Sequence, residues 1–130
     1  MKLTDLIDTL DLEVRSGRSN LDNEVTGGYA SDLLSDVLAN SLEGELWITL
    51  QVHMNIAAVA SMKGLVGIVL VGGREPEEGT IEKAEEEGIP VMVSRLPAFE
   101  LIGRLHDLGI RGVHAEGPTR AGRNGLGTSD

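Results

Sequence analysis

At 130 residues the chain is long enough for one hydrophobic core and too short for two. Apolar residues make up 41% of it with a single Phe, Trp and Tyr, so the core is aliphatic. Eleven basic against 21 acidic residues, a net charge of −10, make a nucleic-acid backbone a repelled partner, and the absence of cysteine excludes disulfides, thiolate zinc sites and the usual iron–sulfur ligands.

The first residues run into an acidic amphipathic segment, not a basic region followed by an apolar signal core, so nothing directs export. The longest apolar-rich run, Ile56 to Leu70, is interrupted by Ser61, Lys63 and two glycines and falls short of the roughly 20 residues of a membrane helix. A soluble, cytoplasmic protein with no membrane partner is expected.

Leu3, Leu6, Ile7 and Leu10 recur at helical spacing, with Thr4 placed to cap the start. Leu12 to Arg15 alternates as a strand, and Ser16 to Asn20 has turn chemistry. Val25-Thr26 reads as a brief extended piece ending on the turn Gly27-Gly28. Ser31 then caps a helix with Leu33, Leu34, Val37 and Leu38 on one face. Leu46 to Leu50 suits a buried strand, and Ile56 to Ala60 a small-residue helix packed closely on a sheet.

Leu65 to Val71 is a nearly continuous β-branched run of the kind covered on both faces in a parallel sheet. Gly72-Gly73 stops it, Pro76 fits the first turn of the next helix, and Gly88 sits where a left-handed C-cap belongs. Ile89 to Val93 is another short buried strand. Pro97 opens a last helix with the stripe Ala98, Leu101, Ile102, Leu105 and Leu108, and Gly109 stops it. Strands alternating with helices predict a three-layer α/β/α domain over 1–113, with a mainly parallel sheet of four to five strands. Residues 114–130 hold no apolar period and are expected to be a disordered tail.

Val25-Thr26-Gly27-Gly28-Tyr29, Ser31 to Val37, Leu46-Trp47-Ile48-Thr49, His53 with Asn55, and Val71-Gly72-Gly73-Arg74-Glu75-Pro76 together resemble the DRTGG domain over about residues 1 to 113. The family's Asp-Arg-Thr-Gly-Gly stretch is matched here only in its Thr-Gly-Gly part, because Glu24-Val25 stands where Asp-Arg would. Val25 cannot replace a guanidinium that neutralises a phosphate. Such domains are similar to the N-terminal domain of HPr kinase and serve as accessory modules in phosphotransacetylases and CBS-domain pyrophosphatases. The resemblance implies an α/β/α fold, self-association and no chemistry of its own. Labels of iron–sulfur binding attached to some stand-alone relatives do not suit a chain without cysteine, and no phosphate-binding Gly-x-x-x-x-Gly-Lys-Ser/Thr loop supports a kinase.

Ligands of open α/β sheets settle outside the C-terminal strand ends. The expected ligand-binding residues are accordingly Thr26, Gly27 and Gly28, His53 and Asn55, and Gly72, Gly73 and Arg74, with no cofactor and no metal. Each has a plainer alternative: the glycines simply turn the chain, His53 or Asn55 caps a helix, and Arg74 pairs with Glu75 or a neighbouring subunit's acid. Asp32 and Asp36, spaced i, i+4, could share a divalent cation but read rather as solvated carboxylates on a polar helix face, and Trp47 and Tyr29 as core residues with a polar tip.

The favoured function is a non-catalytic regulatory or ligand-sensing module acting as a homodimer through apolar surface near Trp47 to Val59, with a small metabolite or a protein as further partner. A pure dimerisation scaffold is the alternative. A small hydrolase or transferase with His53 as base and Asp32 as its orienter is the weakest, since no nucleophile follows from the sequence. Deleting Glu116 to Asp130 should change neither the melting temperature nor the oligomeric state, and a loss of several degrees in calorimetry would show that this segment docks.

Overall fold

The computed structural model describes residues 1–112; the predicted tail at 114–130 lies outside them, as does Val113. The chain runs α1 (Leu3–Leu10), β1 (Glu13–Ser16), a 3-10 turn at Arg18–Asn20, β2 (Gly27–Ala30), α2 (Leu34–Asn40), β3 (Glu45–Thr49), α3 (Asn55–Lys63), β4 (Gly67–Leu70), α4 (Glu78–Glu87), β5 (Val91–Val93) and α5 (Ala98–Asp107). The sheet order is β1-β5-β4-β3-β2, with β2 to β5 parallel and β1 antiparallel on β5. This is the three-layer α/β/α architecture with a mainly parallel sheet that the alternation of elements predicts.

Successive crossovers of one hand, stepping in one direction across a sheet, deliver their helices to the same face. Val37 of α2, Ile56, Ala57, Val59 and Ala60 of α3, and Ala84 of α4 therefore pack with Trp47, Ile68, Leu70 and Val91 in one core. The opposite core holds Leu3 and Leu6 of α1 and Leu101 and Leu105 of α5 against Leu46, Ile48, Val69 and Met92. Adjacent residues of β3 and β4 alternate between these two cores, and every residue of both strands is buried. Trp47 is fully buried, and its indole N–H donates to Ser31 O at 2.8 Å, satisfying the one polar atom that burial would otherwise strand. Glu45, also fully buried, holds the turn before β3: Oε1 accepts from Leu42 N at 2.7 Å, and Oε2 has no partner among the described residues.

Several local expectations are corrected by tertiary bonds. Thr4 lies inside α1, whose N-cap is Lys2, and the Asp5 carboxylate accepts from Lys2 N at 3.0 Å. Gly27 and Gly28 are not a turn but the first half of β2, and neither has a positive φ. The Gly28 amide donates to Arg111 O at 3.1 Å, and an added Cβ would make only ordinary contact, 3.6 Å from Ile110. Ser31 does not cap a helix; α2 begins at Leu34, Ser31 Oγ accepts from Leu33 N, and Leu33 and Leu38 are exposed. The Trp47 to Val59 stretch buries Trp47, Ile56, Ala57 and Val59, leaving Leu50 and Met54 as its exposed large apolar residues.

The later punctuation holds. Gly88 is the left-handed C-cap of α4, Pro97 is the N-cap of α5, and Gly109 has a φ of 94° just past its end. Pro76 lies two residues ahead of α4 and not in its first turn. Among the described residues no helix is long and apolar enough to cross a membrane.

On the β1 edge, Arg15 Nε and Nη2 donate to the two oxygens of Glu75 at 2.7 and 2.8 Å, and Nη2 also reaches Glu13 at 2.7 Å. The bidentate fork ties β1 to the loop between β4 and α4, and it holds the Glu75 carboxyl below its ordinary value of 4.5. A carboxyl with a depressed folded-state pKa stabilises the fold above its unfolded value, and that contribution is lost as pH falls through the folded one. Glu75 is more than half exposed, so the effect is limited to about 1 kcal/mol. Glu75→Gln should lower the urea midpoint near neutral pH and converge on the parent as the pH falls through the depressed folded-state value of the carboxyl. A gap that stayed constant between the two conditions would assign the loss to packing and not to charge.

Candidate functional site

Because β2, β3, β4 and β5 are parallel, their C-terminal ends and the loops that follow share one edge of the sheet. The segments gathered there are Ser31-Asp32, Leu50-Gln51, Gly72-Gly73-Arg74 and Ser94-Arg95-Leu96. Asp32 is the first fixed point. Its Oδ1 accepts from Thr49 Oγ1 at 2.8 Å and from Leu50 N at 2.7 Å, and its carbonyl accepts from Gln51 Nε2 at 3.0 Å. Thr49 is buried, so its hydroxyl, which also accepts from Gln51 N at 3.1 Å, is a rigid anchor for the carboxylate. Oδ2 of Asp32 has no partner among the described residues.

The second fixed point is a brace between two loops. Gly72 N donates to Leu96 O and Gly73 N to Ser94 O, both at 2.8 Å, and Ser94 Oγ accepts from Leu96 N. To aim both amides at the neighbouring loop the two glycines take φ values of 68° and 72°, a left-handed conformation that side chains resist. An added Cβ at either position would meet nothing within 4 Å, so the glycines answer to backbone conformation and not to crowding. Their amides, with that of Arg74 donating to Val71 O at 3.3 Å, are engaged within the protein.

Arg74 projects from this brace. It is exposed, makes no ion pair or hydrogen bond with its side chain among the described residues, and lines a hollow of about 220 Å³ with Asp32, Leu50 and Gln51. Glu75, offered by the sequence as its pair, is held by Arg15 instead. A second hollow of about 200 Å³ shares Asp32 and Leu50 with the first and is lined largely by apolar side chains, among them Ile48, Val71 and Ala98.

The predicted site residues do not all meet. Gly72, Gly73 and Arg74 stand on this edge, whereas Thr26, Gly27 and Gly28 lie at the opposite end of the sheet, where β2 begins. There Thr26 Oγ1 donates to Glu43 O at 3.2 Å, and Gly28 lines a separate apolar slot of about 150 Å³ beneath Ile102, Leu105 and Ile110. His53 and Asn55 are exposed at the start of α3, whose N-cap is Met54, and His53 Nδ1 accepts from Asn55 N, a first-turn amide, at 3.2 Å. Asp32 and Asp36 share no site: Asp36 accepts from Tyr29 Oη and Asn40 Nδ2, both at 2.9 Å. Bonds from Asn40, Ser31 and Tyr29 hold the Asp36 carboxyl below its ordinary value, while burial and Asp36 push the Tyr29 phenol up. Sequence reasoning weighs Asp32 only as half of a cation pair with Asp36 or as the orienter of His53, and prefers a solvated carboxylate. The available signal was its place, just after a short strand and before the helix, at the edge that parallel sheets use.

No family model and no curated protein matches the chain. Among solved structures, the CBS and DRTGG domains of the regulatory region of Clostridium perfringens pyrophosphatase, complexed with the activator diadenosine tetraphosphate, superpose with a TM-score of 0.61 at 17% identity. The match covers 78% of this chain and 44% of that one, so the chain spans less than half of its solved neighbour. At that identity the likeness establishes a related fold.

Gly73→Val should cost about 1–2 kcal/mol of stability through backbone strain, while Gly73→Asn, a residue that tolerates the left-handed region, should recover most of it. Urea midpoints with an unchanged slope would report this, and a valine variant as stable as the parent would refute it.

Proposed function

We propose that this chain is a non-catalytic regulatory module of the DRTGG kind, which senses a small polar molecule at the C-terminal edge of its parallel strands and passes the signal on through association. The observation that carries this reading is Asp32 and Arg74 facing one hollow, opposite in charge, each with hydrogen-bonding capacity unmet among the described residues. A carboxylate locked by Thr49 and Leu50 is preorganised, which lowers the ordering cost of binding. The fold supports the same direction, since the solved neighbour is a regulatory region described with its activator bound. That activator is a polyanion, whereas the hollow here contains a carboxylate and the glycine amides beside it are engaged, so a different ligand is expected. A hydrolase using His53 and Asp32 lacks its central contact: His53 accepts from Asn55 N, and Asp32 is bonded to Thr49 and Leu50.

A scaffold without a small ligand is the second reading, favoured by Leu33, Leu38 and Leu42, which stay exposed about α2. The two separate in one set of measurements. Fractions of a cell metabolite extract, added to the labelled full-length chain, should move the amide resonances of Asp32, Leu50, Gln51 and Arg74 and change its sedimentation coefficient. Because each copy carries −10, association held by apolar burial should strengthen with salt. A chain that assembles while no fraction touches those resonances is a scaffold, and one that stays a monomer in low and moderate salt is not a homodimer.

A further inference from the structure

The geometry points to a small zwitterion of the aliphatic amino-acid class as the occupant of the crevice, an inference that rests on the ligand-sensing reading above and adds the ligand's chemistry. The charged hollow contains one anion, Asp32, and one cation, Arg74. No ion pair joins them, and neither is paired elsewhere among the described residues. On one side stand acceptors: Oδ2 of Asp32, and Oε1 of Gln51, whose amide nitrogen is committed to Asp32 O. On the other stand the N–H donors of Arg74, a planar fork that matches a carboxylate. An ammonium and a carboxylate on one small molecule satisfy both sides at once.

The adjoining hollow extends the match. It shares Asp32 and Leu50 with the charged one and, beside Ser31 and Thr49, presents Ala30, Ile48, Val71 and Ala98, which would cover an aliphatic side chain. Competing ligand classes fit less of the lining. A phosphate ester would meet the Asp32 charge and the net −10 of the chain and would find no free amide at Gly72 or Gly73. A divalent cation would have one carboxylate and face a guanidinium. A simple carboxylate would leave Asp32 unanswered.

The test is amide NMR and calorimetry on the full chain with leucine, with 4-methylpentanoate, which lacks the ammonium, with isopentylamine, which lacks the carboxylate, and with ATP. Leucine should move the resonances of Asp32, Leu50, Gln51 and Arg74, and loss of either charged group should weaken binding about tenfold or more. Asp32→Asn keeps an Oδ1 acceptor for Thr49 and Leu50, and Arg74→Gln removes an exposed side chain without partners, so both should fold. Each should weaken leucine by about tenfold or more, while Asp32→Asn leaves 4-methylpentanoate unaffected. ATP moving the same resonances, with Asp32→Asn tightening it, would overturn the zwitterion and leave the sensing module standing. If none of the four compounds moves these resonances the zwitterion is likewise refuted, and the metabolite-extract measurement decides separately whether the module senses anything.

Discussion

Strands β3 and β4 have no solvent face, and a sheet buried on both sides must find a helix layer for each. Three successive crossovers all deliver helices to one side, so the opposite layer has to come from the chain's two ends, α1 before the sheet and α5 after it. That asymmetry places the crevice. The loops after β2, β3 and β4 turn toward one layer, the loop after β5 turns toward the other, and the glycine amides bridge the divergence by bonding to Ser94 and Leu96. Arg74 stands beside that bridge and lines one hollow with Asp32.

The bridge also ties this edge of the sheet to a helix of the opposite layer. Leu96 immediately precedes Pro97, the N-cap of α5, so the backbone that presents Arg74 is one hydrogen bond removed from the start of a helix that packs Leu101 and Leu105 into the opposite core. The same two bonds therefore join the loop that carries Arg74 to the loop that opens this helix.

How much of this was legible in the sequence depends on the range of the interaction concerned. The run Leu65 to Val71, the proline and glycine bracketing α5, and Gly88 after α4 announce themselves locally, because a buried strand, an N-terminal proline and a left-handed cap each follow from a few adjacent residues. Ser31 and the Gly27-Gly28 pair misled for the opposite reason. Hydrogen bonds from Thr49 and Leu50, 17 and 18 residues along the chain, hold Asp32 and keep the preceding segment from starting a helix, while strand pairing with β3 turns a glycine pair into an edge strand. Arg74 stood out as a lone base in a glycine turn. Asp32 did not, because its i, i+4 relation to Asp36 imitates a helix face that the chain never forms at that point.

One edge of the sheet has a consequence for how copies of the chain can meet. β1 is four residues long, its register with β5 shifts between Val14 and Ser16, and Glu13, Arg15 and Arg95 crowd its margin with charge. Short length, a bulge and fixed charges are the devices by which natural sheets refuse an incoming strand. This border is therefore closed to strand addition, which guards the chain against edge-to-edge aggregation. Any partner approaching from that side must be recognised by side chains and cannot simply prolong the sheet.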